Sequence, residues 1–287
     1  MNHKARRSNM KANTMTKTLI AAAFAAAVGF ASTSAMAVTF PDFNVQEGSV
    51  PGSLPNAFTA DKITGNYVEV ITFGAGTFTV SLKWQAGQFV ANDGTSPITT
   101  SQLNNFGPNG YGLYALYQGS GTFSTSGGIT TFNNTPGTGS INVWIDPLSD
   151  TTFTPPGSGS APWITGNTGD PDYLIATGTP LGGQGKLDPT LTTCTAGGGA
   201  GINCGSFGTT TSFALTALGS GFFTSPVPFY NLSFQSGQLN NFQVAGTQTI
   251  NGSLDVIFGR VPEPATLALL GVGLLGLGMS RRSKKQG

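Results

Sequence analysis

The sequence is short of histidine. Its single histidine, His3, lies in the basic stretch that opens the chain, ahead of a segment with the pattern of an export signal. A mature chain that begins at Val38 therefore holds no imidazole. Ser-His-Asp and Cys-His catalysis and histidine-ligated zinc or iron sites all require that group, so these classes of function are excluded.

Cysteine is almost as scarce, with only Cys194 and Cys204 in the chain. The two lie too far apart for a C-x-x-C redox pair, and two thiols are too few for a four-thiolate metal site. In an exported chain they meet an oxidising compartment. The sequence therefore predicts one disulfide, Cys194 to Cys204, which closes a glycine-rich loop and has a structural role.

Charge is sparse and unevenly placed. Charged residues make up 9% of the sequence, and nine of the cations lie in residues 1–17 and 281–285. Between these ends only four cations, Lys62, Lys83, Lys186 and Arg260, stand against all twelve acids, so residues 38–264 have a formal charge of −8. Such a surface repels nucleic acid, and no nucleic-acid partner is expected. It suits a soluble exported protein that contacts polysaccharide or cations.

The central region, residues 38–260, shows no strong helical periodicity and is long enough to fold as one domain. Short runs rich in β-branched and aromatic residues predict strands instead. These runs are Tyr67–Phe73, Thr77–Trp84, Tyr111–Tyr117, Ile141–Ile145, Thr211–Leu215, Phe229–Phe234 and Leu254–Phe258.

The pattern within these runs indicates antiparallel sheets. In Thr77–Trp84 apolar and polar residues alternate, as in a half-buried strand. Asp93-Gly94, Asn109-Gly110 and Asn251-Gly252 predict hairpin turns. We expect an all-β fold, a single antiparallel β-sandwich of jelly-roll type, with a barrel as the alternative. Two long segments, Ser149–Ala161 and Thr177–Gly208, are predicted to be surface loops.

The first 37 residues have the order of a signal peptide. A basic stretch ending at Lys17 precedes an apolar, alanine-rich run, and Ala35-Met36-Ala37 matches the small-residue pattern read by signal peptidase. Cleavage after Ala37 would leave Val38 as the mature N-terminus. Met10 and Met15 are further candidates for the start of translation.

Residues 261–287 combine a Pro262-Glu263-Pro264 triplet, an apolar run and a basic end, Arg281-Arg282-Ser283-Lys284-Lys285. The prolines prevent helix continuation, and the terminal cations favour the cytoplasmic side of a membrane. The run Ala265–Met279 predicts a short transmembrane helix of roughly 22 Å, less than the ~30 Å hydrocarbon core. An ordinary C-terminal anchor is the alternative interpretation.

This tail resembles the PEP-CTERM sorting signal of bacterial exported proteins. The resemblance implies that Pro262, Glu263 and Pro264 are a recognition motif, read by the membrane enzyme exosortase, which processes the tail. It implies exosortase and signal peptidase as processing partners and a transient stay in the inner membrane of a Gram-negative bacterium. The final location would then be the cell surface or the extracellular matrix.

Between the signals, the clustered acids Asp146, Asp150, Asp170 and Asp172 are candidates for a glycosidase carboxylate pair. Asp146-Pro147 and Asp170-Pro171 also fit turn initiators, which is the favoured interpretation. The segment Asn167–Asp172 has oxygen ligands suited to calcium, without EF-hand spacing. Trp84, Trp144 and Trp163 are either a sugar-stacking platform or core residues. No catalytic residue and no cofactor are assigned, and we expect no enzyme.

Several segments, among them Phe40–Val45, Phe58–Tyr67, Gln88–Gly94, Val143–Pro147 and Asp172–Thr177, resemble flocculation-associated PEP-CTERM proteins of floc-forming bacteria. The resemblance implies a role in floc or biofilm formation with secreted exopolysaccharide. The expected function is therefore that of a matrix protein that binds polysaccharide or associates with itself. A secreted carbohydrate-active enzyme using an Asp pair and a coat protein without a ligand are the alternatives.

Overall fold

The structure, a computed structural model, describes residues 40–105, 107–167, 169–194, 201 and 203–259. These residues form antiparallel sheets with one six-residue α-helix and two 3-10 helices, which confirms the all-β prediction. The signal peptide and the predicted transmembrane helix lie outside the described residues. No helix within the described ranges is long and apolar enough to cross a bilayer.

The described strands follow one another along the chain with few helical interruptions. They are β1 (Phe43–Gln46), β2 (Ala57–Ala60), β3 (Lys62–Phe73), β4 (Thr77–Ala91), β5 (Ser96–Pro97), β6 (Tyr111–Ser126), β7 (Ile129–Pro147), β8 (Thr152–Thr154), β9 (Ile164–Gly166), β10 (Tyr173–Gly178), β11 (Pro180–Leu187), β12 (Gly205–Thr211), β13 (Ala214–Leu215), β14 (Phe223–Ser225), β15 (Asn231–Gln238), β16 (Thr247–Ser253) and β17 (Asp255–Gly259). Helix α1 spans Ala217–Phe222, and the 3-10 helices span Glu47–Ser49 and Thr192–Cys194.

Eight of these strands form a closed, barrel-like ring in the order β3-β4-β6-β7-β11-β12-β15-β17, with β17 pairing back to β3. Every pairing in the ring is antiparallel. The predicted two-sheet jelly-roll sandwich is therefore wrong in topology, and the barrel alternative describes the ring better. The closing contact joins Gly183–Leu187 of β11 to Thr130–Asn134 of β7, far apart in sequence.

Alternation places the core inside the ring. In β4 the side chains of Phe78, Val80, Leu82 and Trp84 are buried, as predicted. Ser81 faces the other way and is also buried, because Trp163 packs over it and donates its indole N–H to the Ser81 carbonyl at 3.2 Å. The runs predicted around β3, β4, β6 and β7 fall within those strands, and the run Leu254–Phe258 coincides with β17 from Asp255 onward.

Two phenylalanine clusters fill the regions near the opposite ends of β3. The first packs Phe43, Phe223, Phe229 and Phe258 with ring centroids 4.9–6.4 Å apart, under the small sheet β14-β1-β2. The second packs Phe73, Phe123, Phe132 and Phe242, and the Phe73 and Phe242 rings stack at 6.1 Å. We call the second group the Phe132 cluster, because it bounds the interior site described below.

The segment Thr177–Gly208 corrects the sequence interpretation, since it contains β11 and the start of β12 rather than one long loop. Three glycines give β11 little strand propensity. Backbone pairing to β7 on one side and β12 on the other holds it in the sheet. A Cβ on Gly183 would lie 2.5 Å from the Gly208 carbonyl oxygen, so this close approach requires glycine.

The predicted turns have different outcomes. Asp93-Gly94 lies in the β4–β5 hairpin, where Asn92, Asp93 and Gly94 all have positive φ. Asn109-Gly110 lies in the turn before β6, where the Gly110 N–H donates to the Gly107 carbonyl at 3.0 Å. Asn251-Gly252 is not a turn, because it lies inside β16 opposite Val68 and Tyr67 of β3.

Candidate functional site

The predicted processing residues lie outside the described residues. These are Ala35, Ala37 and Val38 at the signal-peptidase site and Pro262, Glu263 and Pro264 in the sorting triplet. Their roles stay predictions from the sequence. The disulfide, in contrast, is described: Cys194 is bonded to Cys204, and both side chains are buried.

Three of the four candidate acids come together on the outside of the ring. Asp146 ends β7, and burial raises its pKa, with the charges of Asp172 and Asp150 acting in the same direction. Asp170 lies in an exposed turn. One carboxylate oxygen of Asp150 is buried without a hydrogen-bond partner among the described residues.

These acids are engaged in local structure. Asp172 accepts hydrogen bonds from the Tyr114 hydroxyl at 2.6 Å and from the Thr151 hydroxyl at 2.8 Å. Asp146 accepts from the backbone N–H groups of Asp150 and Thr151, which is the turn geometry expected of an Asp before proline. No group of three or more His, Cys, Asp or Glu side chains in the described ranges is arranged to hold a metal ion.

The three tryptophans do not form a common platform. Trp84 lies inside the ring, 1% exposed, and donates its indole N–H to the Leu254 carbonyl at 2.8 Å. Trp163 is buried on the outer side against Ser81, and Trp144 stacks parallel to Tyr114 at 6.5 Å. The core interpretation is therefore correct for Trp84, whereas Trp163 is buried outside the core of the ring.

A cavity of about 50 Å³ lies inside the ring at the Phe132 cluster. Its wall is largely apolar and includes the rings of Phe78, Phe132, Phe207, Phe234 and Phe242. Four polar residues with inward-facing side chains also line it: Glu69, Tyr117, Asn134 and Thr209. Side chains alternate between the two faces of a strand, so Glu69 lies on the same face of β3 as the buried Tyr67 and Ile71.

Glu69 is the charged member of this interior site, and it is 6% exposed. No described residue gives it a hydrogen bond or an ion pair. Burial raises the pKa of the Glu69 carboxyl to about 8. The side chain is therefore mostly protonated at neutral pH.

Tyr117 places a second polar group at the interior site. Its hydroxyl is buried outside normal hydrogen-bond geometry, with the Thr209 side chain as a weak partner. Burial raises its pKa to about 12; Thr209 lowers the pKa, and the nearby Glu69 charge raises it. Buried polar groups are nearly always well paired, so a carboxyl without a partner beside a weakly held hydroxyl indicates room for a polar guest.

Sequence reasoning missed this site. The available signal was the alternation of β3, in which Tyr67, Glu69 and Ile71 share one face of the strand. An acidic residue on an otherwise apolar strand face is unusual, and it indicates a carboxyl group that becomes buried with that face. It was hidden because part of the cavity wall comes from β11 and the start of β12, which the sequence places in a loop.

The outside of the same strands carries an open groove of about 820 Å³. Glycines at 182, 183 and 208 leave part of its floor without side chains, and hydroxyl and amide groups line it. We call this surface the glycine groove; its exposed polar side chains include Thr131, Gln184, Ser206, Thr210 and Gln235. Its only charged side chain, Lys186, is paired with Asp188 at 3.1 Å.

Comparison with protein families finds the PEP-CTERM protein-sorting motif at residues 260–282. No curated protein and no solved structure matches the chain. The matched residues include the Pro262-Glu263-Pro264 triplet, the apolar run and the first two terminal arginines. The resemblance to PEP-CTERM proteins is confirmed by this match.

Proposed function

The sorting motif marks the chain as an exported protein processed by exosortase, and we propose that it binds exopolysaccharide of the extracellular matrix. In this proposal the protein resides on the cell surface or in the matrix of a Gram-negative bacterium and contributes to floc or biofilm formation. It binds the polysaccharide without cleaving it.

The observation that supports polysaccharide binding is the glycine groove. Sugars present many neutral hydroxyl groups, and they are bound by hydrogen-bond donors and acceptors placed along an open surface. The groove offers such groups from four adjacent strands, β7, β11, β12 and β15, with its one cation already paired. A long chain could lie along it, because the groove is open to solvent.

Co-sedimentation with the exopolysaccharide of the host tests this function. The triple variant Thr131→Ala, Ser206→Ala, Thr210→Ala removes exposed hydroxyls from the groove, and we expect it to lose at least tenfold in apparent affinity. A matched control, Thr77→Ala, Thr122→Ala, Thr249→Ala, removes three exposed hydroxyls elsewhere and should bind normally. A protein that does not sediment with the polysaccharide would instead be a coat protein without this ligand.

The carbohydrate-active enzyme is the second candidate, since Asp146, Asp150 and Asp172 are close enough for their charges to interact. We favour binding without cleavage because Asp172 is held by Tyr114 and Thr151 and Asp146 by a turn. Release of reducing ends by the purified protein, abolished by Asp172→Asn or Asp150→Asn, would support the enzyme.

A further inference from the structure

The interior site combines three features that are separate in most protein cores. It has a carboxyl group without a partner, a buried hydroxyl held only weakly by Thr209, and a wall that includes five phenylalanine rings. A carboxylate attracts a cation, and the faces of aromatic rings attract organic ammonium ions in particular. The same cavity therefore offers both elements of ammonium recognition.

Glu47 shows that this chain pairs a buried carboxylate where it serves only the fold. Glu47 is fully buried and accepts hydrogen bonds from Asn56, Ser101, Gln102 and Tyr111 at 2.6–3.3 Å. Glu69 is nearly as buried and has no such donor. A carboxyl that were only structural would be expected to have partners like those of Glu47.

We propose that the interior site binds a small organic ammonium ion, with Glu69 as its anionic partner and the surrounding phenylalanine rings as its cage. The Tyr117 hydroxyl accepts a hydrogen bond from the ammonium group. This inference goes beyond polysaccharide binding and does not depend on it, because the glycine groove lies on the opposite face of the sheet.

The volume of the cavity limits the ligand. A single water needs only roughly 10–15 Å³ of free space, so a cavity of about 50 Å³ admits a ligand of a few non-hydrogen atoms. Methylammonium, with two such atoms, is small enough to enter and is the probe. Phe242, which lies in the irregular segment 239–246, is partly buried at the cavity.

Binding should depend on pH through Glu69. The titratable groups that face it are Tyr67 in β3 and Tyr117 in β6, both with pKa values raised by burial. The lining contributed by β4, β7, β11, β12 and β15 carries no charge. Because the pKa of Glu69 is about 8, the anion population falls about fivefold in the first pH unit below that value and about tenfold in the next. Alkylamines stay protonated over this range, as lysine does.

Titration of the full chain, in a nonionic detergent, with methylammonium chloride tests the proposal. We expect saturable binding by calorimetry that weakens about fivefold from pH 8 to pH 7 and about tenfold more from pH 7 to pH 6. Sodium chloride at the same ionic strength should give no saturable signal. Equal signals from both salts, or methylammonium binding that does not change with pH, would overturn the proposal.

Two variants locate the ligand. Glu69→Gln preserves the shape of the side chain and removes its charge, and it should weaken binding at pH 8 at least tenfold. Asp42→Asn removes an exposed carboxylate outside the cavity and should bind like the unaltered protein. Unchanged binding by Glu69→Gln would place the ligand elsewhere and reject the site. If that variant does not fold, the pH series on the unaltered chain decides.

Discussion

At the residue scale, the two buried glutamates are held in opposite ways. Glu47 joins the first 3-10 helix to the loop before β6 through side-chain and backbone donors, so its burial is compensated. Glu69 has apolar and uncharged polar neighbours, and only protonation relieves the cost of its burial. The stability of the fold should therefore carry a pH dependence that originates at one side chain.

We expect the unaltered protein to lose stability as the pH rises from 5 to 8, and Glu69→Gln to lose less. The pKa of Glu69 rises on folding from 4.5 to about 8, so the folded chain holds a proton that the unfolded chain releases between these values. The stabilisation is complete below the lower pKa and disappears as the pH passes the upper one. The difference should be on the order of 4 kcal/mol, at about 1.4 kcal/mol per pKa unit.

Urea unfolding at several pH values, with Asp42→Asn as the control, measures this difference. Parallel stability curves for the unaltered protein and Glu69→Gln would show that Glu69 is solvated in the folded protein. They would also remove the physical basis for a proton-coupled cavity.

At the element scale, β11 is the strand that closes the ring, and its glycines are what allow it to do so. Its neighbours approach so closely that a side chain at Gly183 would contact the Gly208 carbonyl and the Asn134 amide. Gly259, at the end of β17, has no atom within 4 Å of its added Cβ position. Replacing glycine by alanine should therefore lower the free energy of unfolding much more at position 183 than at position 259.

Gly183→Ala should lower the free energy of unfolding by about 2 kcal/mol, because overpacking forces two backbones apart. Gly259→Ala should change it by less than about 0.5 kcal/mol, as expected for a site without crowding. Chemical denaturation of both variants at one pH makes the comparison. Equal stabilities would mean that β11 shifts freely and that the ring is held closed elsewhere.

At the scale of the whole molecule, the sequence predicts the parts of the ring with strong side-chain patterns and misses the parts held by backbone alone. The alternation of Phe78, Val80, Leu82 and Trp84 identifies β4, and the acid–proline pairs identify turns. β11 could not be predicted, since its position depends on a pairing with β7 across about fifty residues of chain. The cavity was missed for the same reason, because both walls exist only after closure.

We expect the tail to determine the fate of the molecule at the membrane. Replacing Pro262, Glu263 and Pro264 by alanine should let a helix extend past the apolar run and remove the shape that exosortase reads. Unprocessed protein that still carries Arg281 and Arg282 should then accumulate in the inner membrane, while surface material declines. Mass spectrometry of membrane and surface fractions measures both changes.

Pro155→Ala, in an exposed segment before β9, is the control for loss of proline and should be processed normally. If the mass and location of the mature protein are the same in the triple variant, the tail is only an anchor. The polysaccharide proposal would then need another route to the surface.

Closure of the ring also decides how a matrix made from this protein can grow. Each of its eight strands has a bonded neighbour on both sides, so within the described part of the chain free strand edges belong only to the flanking strands, such as β13 and β16. Fibres built by stacking of the ring strands are therefore disfavoured, even at the high local concentrations of a cell surface. Copies of the protein would be joined as separate particles along shared sugar chains, and such a network can be dissolved by removing the sugar.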